Sequence, residues 1–259
     1  PEGPIADISS SMVGGYLTKH MPKGNWRIML FYEAPGGFDY MNTTAAGKLL
    51  NFVHGEYERK LGAHLGTTVA GTFQDELPPM NRWTRDFAAE FRARKGYDLR
   101  PWLPMLWYDL GSRTAKVRCD VADVQTALLE RAFFKPLYEW HERHHMLCSY
   151  DQVTRDADPI EANRYYVDYM RTMRWFQVPG NDQTGLSRPH SSLAHLYRRP
   201  RVWLEGFYNS GWGQTVEELS ERIHEFFGQG ANLYNPHAWY YTTLAGWWEA
   251  RSAPIDEEG

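Results

Sequence analysis

Short runs rich in β-branched and aromatic residues alternate with stretches of helical periodicity along the chain, and this alternation constrains the fold more than any other feature. The β-type runs are 26–32, 67–73, 146–150, 175–178, 202–207 and 231–234. Between them lie helical patterns. Residues 43–60 place Leu49, Leu50, Phe52, Val53 and Tyr57 at helical spacing, with Leu61 just beyond. Residues 82–95 carry Phe87, Ala88 and Phe91 and stop at Gly96. Further helices are predicted over 121–145, 163–174, 191–197 and 216–227, the last with Thr215 as N-cap and Glu218 completing a capping box. Strand–helix alternation of this kind builds a parallel sheet with helical crossovers, and 259 residues suit one (β/α)8 TIM-type barrel. The expected domain is 1–251, with a β-hairpin inserted within 1–25 around Gly14 and Gly15, then an acidic disordered tail at 252–259. Six strands are two short of closure. The missing pair lies either upstream, in a barrel truncated at its N-terminus, or in irregular strands from 116–121 and the first 20 residues; truncation is the favoured reading.

Composition excludes several classes. A net charge of −4 and a pI near 6.2 provide no general attraction for nucleic acid or an anionic membrane, so neither is an expected partner. Hydrophobic residues reach 42%, yet no apolar run approaches the ~20 residues that span a bilayer. Cys119 and Cys148 fit neither a disulfide framework nor a four-ligand zinc site and are read as inert thiols. The chain opens Pro-Glu-Gly-Pro, without the basic and apolar regions of a signal peptide and without an initiating Met, as an excised or processed piece would. Aromatic content is high, at 15%. Most such rings fill cores, but Trp239 and Tyr241, after the turn signal Asn235-Pro-His237, are candidates for stacking on sugar rings.

The β-type runs end in acids. Phe73 and Gln74 lead into Asp75 and Glu76, Tyr150 into Asp151, and Trp203 and Leu204 into Glu205, while Asp182 follows the 175–178 run. Side chains at the carboxyl ends of parallel strands converge on one face, where barrel enzymes keep their chemistry. A glycosidase needs two acids flanking the scissile bond. Glu205, among Trp203, Leu204 and Phe207, has the apolar setting that raises a carboxyl pKa and suits a general acid. Glu76, Asp75 or Asp151 would position or activate water. Glu76, fixed by Leu77-Pro-Pro79, is equally a candidate metal ligand with Asp75. Asp182, Trp203, His237, Trp239 and Tyr241 would shape the sugar pocket, with His190 and His195 as a second tier of donors. On this reading a carboxylate stands within about 10 Å of Glu205.

A competing motif spans 141–145, where His141, Glu142 and His145 satisfy H-E-x-x-H. On a helix it would put two imidazoles toward zinc, with Glu161 as a conceivable third ligand. Here it closes a helix directly before a strand, the end of a β/α unit opposite the usual chemistry.

Taken in order, the residues resemble a known family. Thr72-Phe-Gln-Asp-Glu76, Trp83-Thr84, Glu90-Phe91, Gly96-Tyr-Asp98 and Leu103-Pro104 come first. They are followed by Asp120 before a long helix, Ser191-Ser-Leu-Ala-His195 before the Glu205 run, and Gly230-Ala-Asn232 leading to His237. The series is similar to the catalytic barrel of the α-L-rhamnosidases of glycoside hydrolase family 106 and their uncharacterised relatives, over roughly 5–241. The resemblance implies an inverting exo-glycosidase, often calcium-dependent, acting on terminal rhamnose of plant or microbial polysaccharides. It implies a catalytic role for Glu205, an acidic pair at Asp75 and Glu76 near sugar or calcium, a periplasmic or secreted setting, and further β-sandwich modules in a longer chain. Two departures are Asp151, where relatives tend to have glutamate, and the absence of a second catalytic glutamate near His237. A non-catalytic carbohydrate-binding domain that keeps the aromatic cleft is the alternative from another class.

Overall fold

The computed structural model describes residues 5–34, 36–152, 159–182, 187–206 and 214–236, the side chains of Asp151, Gln152 and Pro159 excepted. The chain begins with a small hairpin. β1 (Met12–Val13) pairs antiparallel with β2 (Tyr16–Leu17) across Gly14 and Gly15, whose φ values of 58° and 82° suit a two-residue turn that twists with its strands.

Helices supply most of the framework. α1 (Thr43–Leu61) starts at Asn42, whose side chain accepts from the Thr44 and Ala45 backbone N–H groups at 3.0 Å each. α2 (Phe87–Lys95) stops at Gly96, left-handed at φ 77°, with its N–H donating to the Arg92 carbonyl at 2.9 Å. α3 (Thr114–Leu129) runs through a π-helical turn, Glu130–Phe134, into α4 (Lys135–Arg143). α5 (Pro159–Tyr166), α6 (Tyr169–Thr172) and α7 (Arg188–Leu196) are short. α8 (Val216–Gly228) carries the capping box: Thr215 Oγ1 accepts from the Glu218 N–H at 3.2 Å, and the Glu218 carboxylate from the Thr215 N–H at 2.8 Å.

The parallel strands lie among these helices. β3 (Gly71–Leu77) pairs with β4 (Leu147–Gln152), and β5 (Gly180–Asp182) with β6 (Trp203–Gly206), which pairs in turn with β7 (Leu233–Pro236). β4 is bridged toward β5 by Val178, whose N–H donates to the Cys148 carbonyl at 3.2 Å and whose carbonyl accepts from Ser149 Oγ at 2.8 Å. The main core joins α1 to α4 with the sheet's helix-facing side. Ala46, Phe87, Phe91, Val117, Val124, Leu128 and Phe134 pack with Leu77, Cys148 and Tyr150.

This architecture corrects the barrel expectation. Among the described residues there are sheets of two, two and three strands, none closed, beside eight α-helices. Residues 26–32 have the β-branched and aromatic composition of a strand but form none. Phe31 packs on Trp107 at 5.3 Å between ring centroids, while Trp26, Ile28, Leu30 and Tyr32 stay exposed. Composition gives propensity, but a strand needs a paired neighbour. Residues 116–121 lie in α3 and supply no strand. The other strands begin one to five residues later than their sequence runs, because β-type residues such as Thr67 and Val69 are used in turns. The expected tail at 252–259 lies outside the described residues.

Candidate functional site

Register aligns the strand-end polar residues. Asp182, Glu205 and Asn235 are Cα partners across β5, β6 and β7, so all three side chains leave the same face of neighbouring strands. On β6, Gly206 faces α8, where an added Cβ would stand 3.4 Å from the Phe226 ring. Trp203 and Glu205 therefore take the opposite face, away from α8. Exposure rises along the row: Asp182 is buried, Glu205 partly buried, Asn235 exposed. With parallel strands about 4.8 Å apart, Asp182 puts a carboxylate within about 10 Å of Glu205, a reach that spans both glycosidase geometries.

β3 presents its acids differently. Its register with β4 shifts between Gln74 and Leu77, and Glu76 sits in this bulge at φ 40°. A left-handed glutamate costs of order 1–3 kcal/mol and persists where the surroundings impose it, often at functional sites. Asp75 and Glu76 are both exposed. Asp151 falls within β4, its side chain outside those described, and His237, Trp239 and Tyr241 also lie outside the described residues.

Two rings underlie the row. Phe73 on β3 and Trp203 on β6 meet with centroids 4.8 Å apart and planes tilted by 38°. Trp203 is only 4% exposed, whereas Phe73 is 41% exposed. Gly180 makes this possible: a Cβ there would stand 2.3 Å from the Trp203 carbonyl oxygen and 2.6 Å from its indole. Phe73, Gly180 and Asn235 were not singled out by the sequence. Asn235 alone carried a signal, as the first residue of the turn before Pro236.

The two second-tier histidines differ. His190 pairs with the Tyr169 hydroxyl at 2.7 Å in the core, and His195 is exposed in the last turn of α7. The zinc reading fails on geometry. His141 is fully buried, its Nδ1 lies 2.8 Å from the Leu137 carbonyl and its Nε2 2.7 Å from Thr72 Oγ1, so neither nitrogen is open to a metal. Since a carbonyl only accepts, Nδ1 carries the proton and Nε2 accepts from the threonine. His145 lies beyond the helix at φ 55°, Glu142 accepts from Gln177 at 2.9 Å, and Glu161 is exposed. No group of three His, Cys, Asp or Glu among the described residues could hold a metal ion. Asp75 and Glu76 offer two carboxylates at most, and calcium takes six to eight oxygens.

Comparison with known proteins agrees with the order of the residues. No curated protein matches the chain. A solved rhamnosidase from Novosphingobium sp. PP1Y shares its fold at a TM-score of 0.63 and 20% identity, over 80% of this chain and 21% of that one. The chain thus spans about a fifth of that protein's length. Residues 3–244 match the family model described as alpha-L-rhamnosidase, and the chain belongs to that family, glycoside hydrolase family 106.

Proposed function

We propose that this chain supplies the catalytic face of a glycoside hydrolase that removes a terminal, rhamnose-like sugar from a poly- or oligosaccharide, with inversion. The observation that carries the reading is the in-register row Asp182, Glu205 and Asn235, set beside the bulged acids Asp75 and Glu76, in a chain of the alpha-L-rhamnosidase family. In this reading Glu205, partly buried, protonates the leaving glycosidic oxygen. A second carboxylate, Glu76 or Asp151, takes a proton from the attacking water on the opposite side of the sugar ring, the two acids being about 6.5–9.5 Å apart. Asn235, exposed at the end of the row, holds sugar hydroxyls, with Asp182 buried in register behind Glu205. Calcium, where bound, would take Asp75 and Glu76 as two of its oxygen donors and neutralise charge beside the sugar.

The test is hydrolysis of a panel of aryl glycosides, α-L-rhamnosides included, by the chain within its full-length protein, with and without calcium. Proton NMR of the first-formed sugar reports the anomeric outcome. Activity on a rhamnoside, lost in Glu205→Gln and giving the inverted anomer, is the expected result. Retained activity in Glu205→Gln removes the assignment. Binding of sugar without hydrolysis of any substrate replaces it with a carbohydrate-binding domain.

A further inference from the structure

We propose that Phe73 is the ring on which the bound sugar stacks, and that Trp203 and Gly180 are the positioning residues that hold it in place. The inference rests on the glycosidase reading above. Trp203 has the larger ring, but at 4% exposure it has no open face for a ligand, whereas Phe73 is 41% exposed. Phe73 precedes Asp75 by two residues on β3, and Trp203 precedes Glu205 by two on β6. Two residues advance a parallel strand by about 6.6 Å, so Trp203 lies one layer below Glu205, and Phe73, just before the β3 bulge, packs against it.

Small residues allow the two rings to meet across intervening strands. Gly180 is the Cα partner of Trp203, and Cys148 and Ser149 partner Thr72 and Phe73 on β4. Any side chain at 180 would strike both the Trp203 backbone and its indole. The indole therefore lies over β5 and packs on Phe73 at a 38° tilt, and Phe73 remains 41% exposed. An aromatic face carries partial negative charge, and the axial C–H bonds of a pyranose carry partial positive charge, so a sugar seated under the acids lays a C–H face on Phe73. The ligand class is a pyranose with one hydroxyl-poor face.

The experiment measures KM and kcat on an aryl rhamnoside, in the full-length protein, for Phe73→Ala, Phe73→Leu, Phe73→Tyr and Gly180→Ala, with circular dichroism to confirm folding. Phe73→Ala and Phe73→Leu are expected to raise KM about tenfold with a smaller change in kcat, since ground-state binding is what is lost. Leucine keeps the apolar volume but not the flat face, so it separates stacking from burial, and Phe73→Tyr recovers most of the affinity. Gly180→Ala raises KM in the same direction without touching the sugar. An active wild type in which Phe73→Leu keeps KM within twofold overturns this proposal alone. A wild type that neither binds nor cleaves any glycoside overturns it together with the function on which it rests.

Discussion

The helical half of the molecule uses its acids to tie helices together, and the strand-end half gathers acids on one face. Glu130, in the π turn between α3 and α4, is 6% exposed and held by Arg171 at 2.7 Å, Arg174 at 2.6 Å and the Trp175 indole N–H at 2.9 Å. Asp123 joins Arg171 at 2.6 Å and Lys95 at 2.5 Å, and Glu90 joins Arg131 at 2.7 Å. Arg131 holds the Glu90 carboxyl below the usual range, and Lys95, followed by Arg171, does the same for Asp123. At the strand ends, acid neighbours acid: Asp75 beside Glu76, Asp182 in register with Glu205. Ion pairs between helices fix how the helices pack, whereas acids set in register at strand ends share one face and can act together on a ligand.

Four measurements would break or sharpen this contrast. The largest effect belongs to Glu205→Gln, expected to lower kcat by about 10²–10⁴-fold while the melting temperature stays within a degree or two of wild type. A large loss of stability would instead put Glu205 with the structural acids. Glu130→Ala should do the reverse. It strands two arginines that keep part of their exposure and should cost about 3 kcal/mol in urea unfolding, with kcat little changed. Parity with wild type would show that the ion pairs of the helical half contribute nothing.

The third is a pH test of the α1–α4 contact. Burial, then the neighbouring His141, lowers the His54 pKa to about 4, and burial lowers that of His141. The rings of His54 and His141 stand 5.3 Å apart, with Trp140 packed on both. Glu58, on α1, faces His144 at 3.8 Å. A folded pKa below the unfolded value means that the unfolded chain binds the proton first. Stability is therefore full above pH 6.5 and falls as pH drops from 6.5 toward 4. The expected loss is about 1 kcal/mol for His54 after allowance for its partial exposure, read as a falling melting temperature that His54→Leu flattens. An unchanged slope in that variant would place the sensitivity elsewhere. The smallest effect is Thr215→Ala, which removes one side of the α8 capping box and should cost about 1 kcal/mol in thermal unfolding without altering KM. A change in KM would tie α8 to the site.

Local rules were readable where local interactions decide. α1 was expected over 43–60 and runs Thr43–Leu61, and Thr215 with Glu218 caps α8. Gly96 ends α2 in the left-handed conformation that a glycine stop requires. What depended on pairing was not readable. The β-type composition of 26–32 predicted a strand, but among the described residues no neighbour pairs with it, and an open set of parallel strands replaces the barrel. The family was legible from the order of many short motifs, and so was the place of Glu205 late in a strand. The shared register of Glu205 and Asp182, the burial of Trp203 and the need for glycine at 180 were not, since each depends on which strands become neighbours. The H-E-x-x-H string could be set aside on its place at a helix end, but the sequence does not show that Thr72, 69 residues away, occupies the ring nitrogen that a metal would need.

The π turn at Glu130–Phe134 bears on which length changes this chain tolerates. Val117, Val121, Val124 and Leu128 are buried in steps of three and four, and the stripe resumes at Phe133, Leu137 and Trp140 after a step of five. A turn with i→i+5 bonding absorbs that extra residue. Continued without it, the same stripe would fall on Ala132, Lys135, Glu139 and Glu142, three of which are charged and exposed. Removing a single residue here would act as a frameshift for packing: every side chain downstream keeps its identity, and each turns by about 100° on the helix axis. Homologous chains that shorten this helix by one residue are therefore expected to show a matching change in the apolar pattern that follows.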